Sequence, residues 1–462
     1  MTGPGVLGRP GVPPAPFMKP NRVLIGTCLV AALGGTLFGF DTAVISGVQD
    51  ALRDLFHLDG FQQGMVTAVA LVGTVLGALI AAKPGDLYGR RDSLKVAGVF
   101  YLACALGCAL AWNLASLVFF RFLGGVAVGA SSVLGPLYLA EISPARWRGR
   151  LVGFFQFNVV FGILLAFLSN YLVGLGDFGA HEWRWKLGVQ VVPAFLFFVL
   201  LWLIPRSPRW LVMRGHDAEA LHVLRLIGEE DPERTVGRIR RSVHRQQGFQ
   251  TEPLFRAPHW KPVFLAVLVA FFNQAGGINA IFYYLNPIFA MAGFSKVSGD
   301  LQSVAVGGTN LIFTVVGMAL IDRVGRRPLL LWGTLGCGLC LAGIAAVFSG
   351  PARHDLLVWL LVGYIACHAF GQGAVVWVYI SEVFPNAVRA KGQTLGGTTH
   401  WVMAALISWG FPVFARPAGT PGAGLPFAVF ALMMIVQIVV VWRFFPETKG
   451  TSLEEVEEVT AA

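Results

Sequence analysis

Asp41 is a carboxylate set inside an apolar stretch, Phe38-Gly39-Phe40-Asp41-Thr42-Ala43-Val44-Ile45. If that stretch crosses a bilayer, keeping the acid ionised costs about 2.5–3.5 kcal/mol, so it needs a partner. Arg121, at the start of another apolar stretch, is the candidate. A buried acid holds its charge only while a guanidinium stands beside it, so an Arg that moves would tie protonation to conformation. The plain alternative is a static ion pair bracing two helices. A second set of residues is neutral: Asn273, Gln274 and Asn279 around Gly276-Gly277, with Gln156, Asn310 and Trp377 in other apolar stretches. Amides that both donate and accept, beside an aromatic face, suit a ligand with several hydroxyls and apolar C–H faces. Small residues in the seventh stretch allow a helix to break there and expose backbone polar groups. Taken singly, each amide could instead be interhelical glue worth roughly 0.6 kcal/mol.

A third set is charged and occurs twice, about 240 residues apart. Gly85-Asp86-Leu87-Tyr88-Gly89-Arg90-Arg91 is answered by Ile321-Asp322-Arg323-Val324-Gly325-Arg326-Arg327. Glu141 with Arg148 is answered by Glu382 with Arg389, and Pro205-Arg206-Ser207-Pro208-Arg209 more loosely by Pro446-Glu447-Thr448-Lys449-Gly450. A duplicated membrane unit is the pattern of a secondary transporter whose substrate lies between its halves. Carboxylate and Arg pairs at helix ends, Asp86 and Arg90 or Asp322 and Arg326 with Glu141, Arg148, Arg209, Glu382 and Arg389, could latch two bundles in one conformation. An exposed pair is worth only about 0–1 kcal/mol, so a latch works only as a network. Residues that merely fix topology are the alternative, and duplicated carboxylates are what it leaves unexplained.

The elements that must position these groups are membrane helices. The chain has 462 residues, 55% hydrophobic and 13% charged, too apolar for an ordinary soluble domain. Twelve apolar runs of the length needed to cross about 30 Å of hydrocarbon fall near 23–48, 61–82, 94–112, 117–140, 150–174, 186–204, 260–290, 301–321, 328–349, 356–382, 393–415 and 425–445. The expected organisation is a tail at 1–22 without fixed structure, a six-helix bundle at 23–204, a linker at 205–258 with short amphipathic helices, a second bundle at 259–446 and a tail at 447–462. The linker carries ten Arg and seven Asp or Glu, and helical spacing over 218–227 suits helices lying on the membrane face. The net charge of +10 sits in alternate short loops, which argues for topology and against nucleic acid. By the positive-inside tendency those loops, the linker and both termini are cytoplasmic. The chain lacks Asn-x-Ser/Thr acceptors, which suits a bacterial inner membrane. Cys104 with Cys108 and Cys337 with Cys340 lie in apolar stretches, where Cys acts as a small hydrophobe, so the CxxC spacing is set aside as a metal site. The sequence shows no nucleophile, metal cluster or phosphate loop, which speaks against an enzyme.

These motifs, with Arg121-Phe122-Leu123-Gly124-Gly125, Pro208-Arg209-Trp210-Leu211, Gln274 and Gly277-Ile278-Asn279 in order, give the chain a resemblance to the sugar porter family of the major facilitator superfamily, from about residue 23 to 453. The resemblance implies an all-α membrane protein of twelve transmembrane helices in two pseudo-symmetric bundles, working as a monomer without a cofactor. It implies monosaccharide transport by alternating access, with the proton as coupling ion through Asp41 and Arg121, since the facilitative members carry Asn at the Asp position. A facilitative uniporter is the alternative, and a sensor, a cation antiporter and a polyol carrier are more remote. The same resemblance adds Phe38, Ile163, His400 and Trp401 to the sugar contacts. Departures from the family pattern are Leu87 for Arg, Arg206 for Glu, Asn273 for Gln, His400 for Asn or Gln, and His368 where Phe is common. The two replacements at Leu87 and Arg206 lead us to expect a weaker charge network.

Overall fold

The computed structural model describes residues 21–144, 146–176, 178–248, 252–350, 354–385 and 388–449. Most of the expected tails, at 1–20 and 450–462, and residues 249–251 of the linker lie outside the described residues. Twelve long helices run α1 Arg22–Phe56, α2 Gly60–Tyr88, α3 Arg90–Ala109, α4 Leu114–Ile142, α5 Arg148–Gly174, α6 Gly179–Leu200, α7 Trp260–Tyr283, α8 Lys296–Val324, α9 Arg326–Ser349, α10 Asp355–Glu382, α11 Arg389–Phe414 and α12 Leu425–Phe444. Eleven are long and apolar enough by themselves to span a membrane. The exception, α11, has 26 residues but spends its middle on Gly396-Gly397-Thr398-Thr399-His400. No strand occurs among the described residues.

Local chemistry starts and stops these helices. Asp59 caps α2 in a reciprocal box with Gln62, and Asn113 caps α4 with Ser116, each satisfying amide N–H groups that a helix start leaves unpaired. Ser295 caps α8 and Ser207 the first linker helix. In α1 and α5, close crossing is set by a missing side chain: a Cβ on Gly39 would stand 1.8 Å from the Val159 carbonyl oxygen.

Buried side chains form three apolar clusters, and their membership explains the shape. One joins both halves, from Phe40, Val44 and Leu52 of α1 through Phe282 and Phe289 to Trp401 and Phe411. A second lies wholly within the first half and the linker, the third wholly within the second half and Leu254. The halves therefore share a core at one end and are separate at the other, which carries both Gly-Arg-Arg turns; we call these the far end and the Arg-rich end. Across the interface α2 packs on α11 and α5 on α8. The linker helices Pro208–Met213, Asp217–Leu226 and Pro232–Gly248 bury Trp210, Leu211, Val223 and Leu224 against the first half. The end of the linker joins the second half, where Lys391 Nζ donates to the Glu252 carbonyl at 2.7 Å and Leu254 enters its apolar cluster.

Gly39→Ala forces α1 from α5. We expect a loss of about 1–3 kcal/mol, read as a lower Tm in detergent, whereas Gly26→Ala on the same helix, with nothing within 4 Å of its Cβ, leaves Tm unchanged or slightly raised.

Candidate functional site

Helix α7 breaks at Gly276-Gly277. Gly277 has φ +80°, a left-handed backbone that side chains resist, and Phe430 would crowd any Cβ there at 2.3 Å. The freed Gly276 carbonyl accepts from the Tyr364 hydroxyl at 2.9 Å. Beside the break, Gln274 Nε2 donates to Asn273 Oδ1 at 2.9 Å and lies 3.2 Å from His400 Nε2. Gln274 Oε1 accepts from Asn279 Nδ2 at 2.9 Å. His400 packs against Trp377 and Trp401 with ring centroids 4.8 and 4.7 Å away. Trp401 in turn meets Phe38 of the other half at 5.5 Å. The fold thus gathers Phe38, Asn273, Gln274, Asn279, Trp377, His400 and Trp401 at one place. Trp377 stays 40% exposed, while Gln274 and His400 form a buried floor at 2% and 7%.

Ile163 and Asn310 are buried on α5 and α8, and Gln156 is half-buried on α5. None of the three hydrogen-bonds to the amide cluster among the described residues. His368 is buried 6.2 Å from the Tyr364 ring, just before a turn of π-helix at Ala369–Gly373; such bulges recur at functional sites.

Arg121 Nη1 donates to Asp41 Oδ1 at 3.0 Å, the two side chains being 1% and 5% exposed. Nε and Nη2 of Arg121 have no hydrogen-bond partner among the described residues, so the guanidinium is only partly satisfied. Cys104 Sγ stands 4.0 Å from Asp41 Oδ1 and 3.9 Å from Cys108 Sγ. Those thiols line the acid's surroundings, a placement the sequence does not reveal.

The duplicated charges at the Arg-rich end form two matching networks, each inside one half. Arg90 reaches Asp86 at 2.9 Å and Glu141 at 3.0 Å, and Ser207 Oγ donates to Glu141 at 2.5 Å. Arg326 reaches Asp322 at 3.1 Å and Glu382 at 2.7 Å, and Thr448 Oγ1 donates to Glu382 at 2.6 Å. The charge of Arg209 also acts on Glu141. Two expected pairings are corrected: Arg148 donates to the Ala140 carbonyl at 3.0 Å and Arg389 to the Phe384 carbonyl at 3.2 Å, in place of Glu141 and Glu382. At seven residues' spacing across a helix end, Arg148 caps the helix that has just finished and Arg389 takes a carbonyl two residues past the end of α10, each instead of folding back onto its acid. The copies differ in the residue that meets the start of the helix after each turn. Glu447 accepts the Arg326 and Arg327 backbone N–H groups at 2.9 and 3.0 Å, while Arg206, its counterpart, pairs with Asp92 at 3.3 Å.

The far end is closed by polar residues; the sequence marks Tyr284 as a gate or packing aromatic and misses Gln49, Gln63 and Thr67. Tyr284 hydroxyl donates to Thr67 Oγ1 at 2.9 Å, Gln49 Nε2 donates to the same oxygen at 2.8 Å, and Gln63 Nε2 donates to Gln49 at 3.2 Å. Trp409 Nε1 donates to the Phe61 carbonyl at 3.1 Å. A helical spacing of polar groups at 63 and 67 within an apolar run is the signal that could have found them.

The sequence profile of the family described as "Sugar (and other) transporter" matches residues 27–460. The chain is 33% identical over 471 residues to the D-xylose-proton symporter of Escherichia coli, covering 95% of this chain and 96% of that one. It is 35% identical over 457 residues to the glucose facilitated diffusion protein of Zymomonas mobilis, covering 93% and 96%. The fold is similar to the inward open conformation of the xylose transporter XylE from E. coli, with a TM-score of 0.84, 31% identity and coverage of 94% of this chain and 99% of that one. With the broken helix, the amide cluster and the duplicated bundles already in place, the chain belongs to the sugar transporter family of the major facilitator superfamily, a multi-pass membrane transporter and not an enzyme.

Proposed function

We propose that the protein carries a monosaccharide together with a proton across the bacterial inner membrane by alternating access, each chain working alone. The observation that carries this reading is the buried Asp41–Arg121 pair at 3.0 Å, which stands on the helix that also supplies Phe38 to the amide and aromatic cluster. Relatives named as xylose-proton and arabinose-proton symporters support it. The Arg-rich end is the cytoplasmic one, by the positive-inside tendency, so the present state is open inward. The sugar docks on Gln274, Asn273, Asn279 and His400 with its C–H faces on Trp377, Trp401 and Phe38. Gln156, Ile163 and Asn310 meet it from α5 and α8 as the cleft narrows.

Physical reasons follow for each step. The Arg121–Asp41 contact at 3.0 Å is the one that binding of a proton to Asp41 has to break. Protonating Asp41 without other change strands a guanidinium whose other nitrogens already lack partners, a loss of about 3–5 kcal/mol for a broken buried pair. Arg121 must then shift toward water or new acceptors, and because it stands on α4 its shift is felt across the first bundle. At the Arg-rich end the two matching networks keep each half rigid, so that the halves move as bodies.

Three outcomes test this. In proteoliposomes with an inward proton gradient, the parent accumulates labelled monosaccharide above equilibrium, and Asp41→Asn loses accumulation but keeps sugar exchange; equal equilibration by both proteins would make the chain a uniporter. Gln274→Ala removes a donor and an acceptor from the buried floor. It raises KM for the transported sugar by about 10- to 100-fold, the range given by 1–3 kcal/mol for unmet buried groups, with the accumulation ratio kept. Arg206→Glu supplies the amide-capping carboxylate that α3 lacks and α9 has. It raises Tm, by an amount worth about 0.5–2 kcal/mol, if the difference between the two networks is the missing cap.

A further inference from the structure

Between the halves at the far end lies a charged cluster that the transport reading does not use. Lys186 of α6 is fully buried, and its Nζ stands 3.0 Å from Asp300 Oδ2 on α8 of the other half. The same nitrogen is 2.9 Å from Glu182 Oε1, one turn back on its own helix, and donates to the Gly47 carbonyl at 3.2 Å. Asp300, only 1% exposed, accepts from Asn286 Nδ2 through its second oxygen. Asn286 Oδ1 accepts from Ser46 of α1 and from Ser303, both at 2.9 Å, and the Asn286 backbone N–H donates back to Ser46 Oγ at 3.0 Å. Outermost, Lys296 Nζ reaches Glu182 Oε2 at 2.6 Å. Two lysines balance two carboxylates, and the charges alternate between halves: Lys186 and Glu182 from the first, Asp300 and Lys296 from the second.

We propose that Lys186 and Asp300 are positioning residues of the transport cycle, a lock whose making and breaking sets the balance between the two access states. The proposal rests on the alternating-access reading above. Its physical basis is where the charges sit in each state. With the far end closed they are dry: Lys186 meets Asp300 across the seam as well as Glu182 and the Gly47 carbonyl of its own half, and Asp300 meets Lys186 as well as Asn286 of its own half. When the far end opens, α6 leaves α8 and both groups return to water. A dry ion pair and two hydrated ions differ little in free energy when the pair is well hydrogen-bonded, which is what a lock that must open on every cycle requires. Removing one partner breaks that balance on one side only. In the closed state the remaining charge is buried with too little around it, whereas in the open state it is hydrated and nothing is lost. Neutralising Asp300 must therefore favour opening at the far end, and removing the stranded Lys186 charge as well must restore closure. A cluster that served folding alone would show neither the one-sided shift nor the rescue.

The test needs no sugar and no proton gradient, so its outcome is separate from that of the symport assay. Spin labels are placed at Asp54→Cys and Thr420→Cys, exposed positions on opposite halves near the far end, and the distance distribution is measured by double electron–electron resonance in nanodiscs. The protein with its native cysteines alone supplies the background. In Asp300→Asn, which keeps an acceptor for Asn286, the ratio of long to short distances rises at least tenfold, equivalent to about 1.4 kcal/mol. Adding Lys186→Met to Asp300→Asn returns the ratio to within about threefold of the parent. If Asp300→Asn gives no folded protein, Lys186→Met alone must shift the distribution in the same direction. An unchanged distribution in a folded single variant, or a double variant as open as the single one, overturns the proposal.

Discussion

A carboxylate and a guanidinium 3.0 Å apart, both nearly sealed from solvent, impose more on this fold than any other contact. Neither ion is tolerable alone in a bilayer, so α1 and α4 must stay beside one another for as long as both are charged. The consequence reaches past the pair. Helix α1 also crosses α5 at Gly39, close enough that a methyl group there would meet the Val159 carbonyl at 1.8 Å, and carries Phe38 against Trp401. A change in the charge of one oxygen is thus placed on a helix fixed to its own bundle by close packing and to the other bundle by the shared apolar cluster, by Ser46 on Asn286 and by Phe38 on Trp401. A helix attached to both halves is what lets a local event become a movement of halves.

Duplication gives the same solution twice where the requirement is the same, and departs from it where the halves differ. Arg90 and Arg326 each hold a carboxylate one turn back and another from a neighbouring helix, and a hydroxyl, Ser207 or Thr448, completes each set. Glu447 adds two charge-assisted bonds at the positive end of α9, the favoured place for an anion. Arg206 brings the opposite sign to the corresponding end of α3, and Asp92 in the first turn offsets it. The asymmetry is electrostatic and local; the backbone of the two turns is alike, with Gly89 and Gly325 at φ +96° and +108°.

Much of this was legible in the sequence because membranes make sequence signals coarse. Length and apolarity mark all twelve long helices, and the repeated Gly-Arg-Arg turns mark the boundary residues. The break in α7 follows from two adjacent glycines among amides. What stayed hidden shares a cause. Lys186 and Asp300 sit at the margins of apolar runs, where a charge reads as the edge of a span; only folding shows that α6 and α8 bring those margins together and bury them. Arg148 and Arg389 were misassigned to carboxylates because sequence spacing says nothing about helix ends, whose free carbonyls compete for the same guanidinium. Cys104 looked like packing, and only the packing of α3 on α4 at Gly124 sets its sulfur beside Asp41.

The distribution of cores decides which end of the molecule can move. Where the halves share one apolar cluster, separating them exposes Phe282, Phe289, Phe411 and their neighbours, and a purely apolar seal of that size would be costly to break at roughly 25 cal/mol per Å². Polar residues are built into the same seam: Thr67 with Tyr284, Gln49 with the Tyr283 carbonyl, Ser46 with Asn286. Each loses a protein partner on opening and gains water, which lowers the cost of parting without weakening alignment while closed. At the Arg-rich end the logic is reversed. There the Arg90 and Arg326 networks are each satisfied within one half. A transporter needs one end sealed by contacts that water can replace and the other held apart by halves that are complete in themselves, and this sequence supplies both.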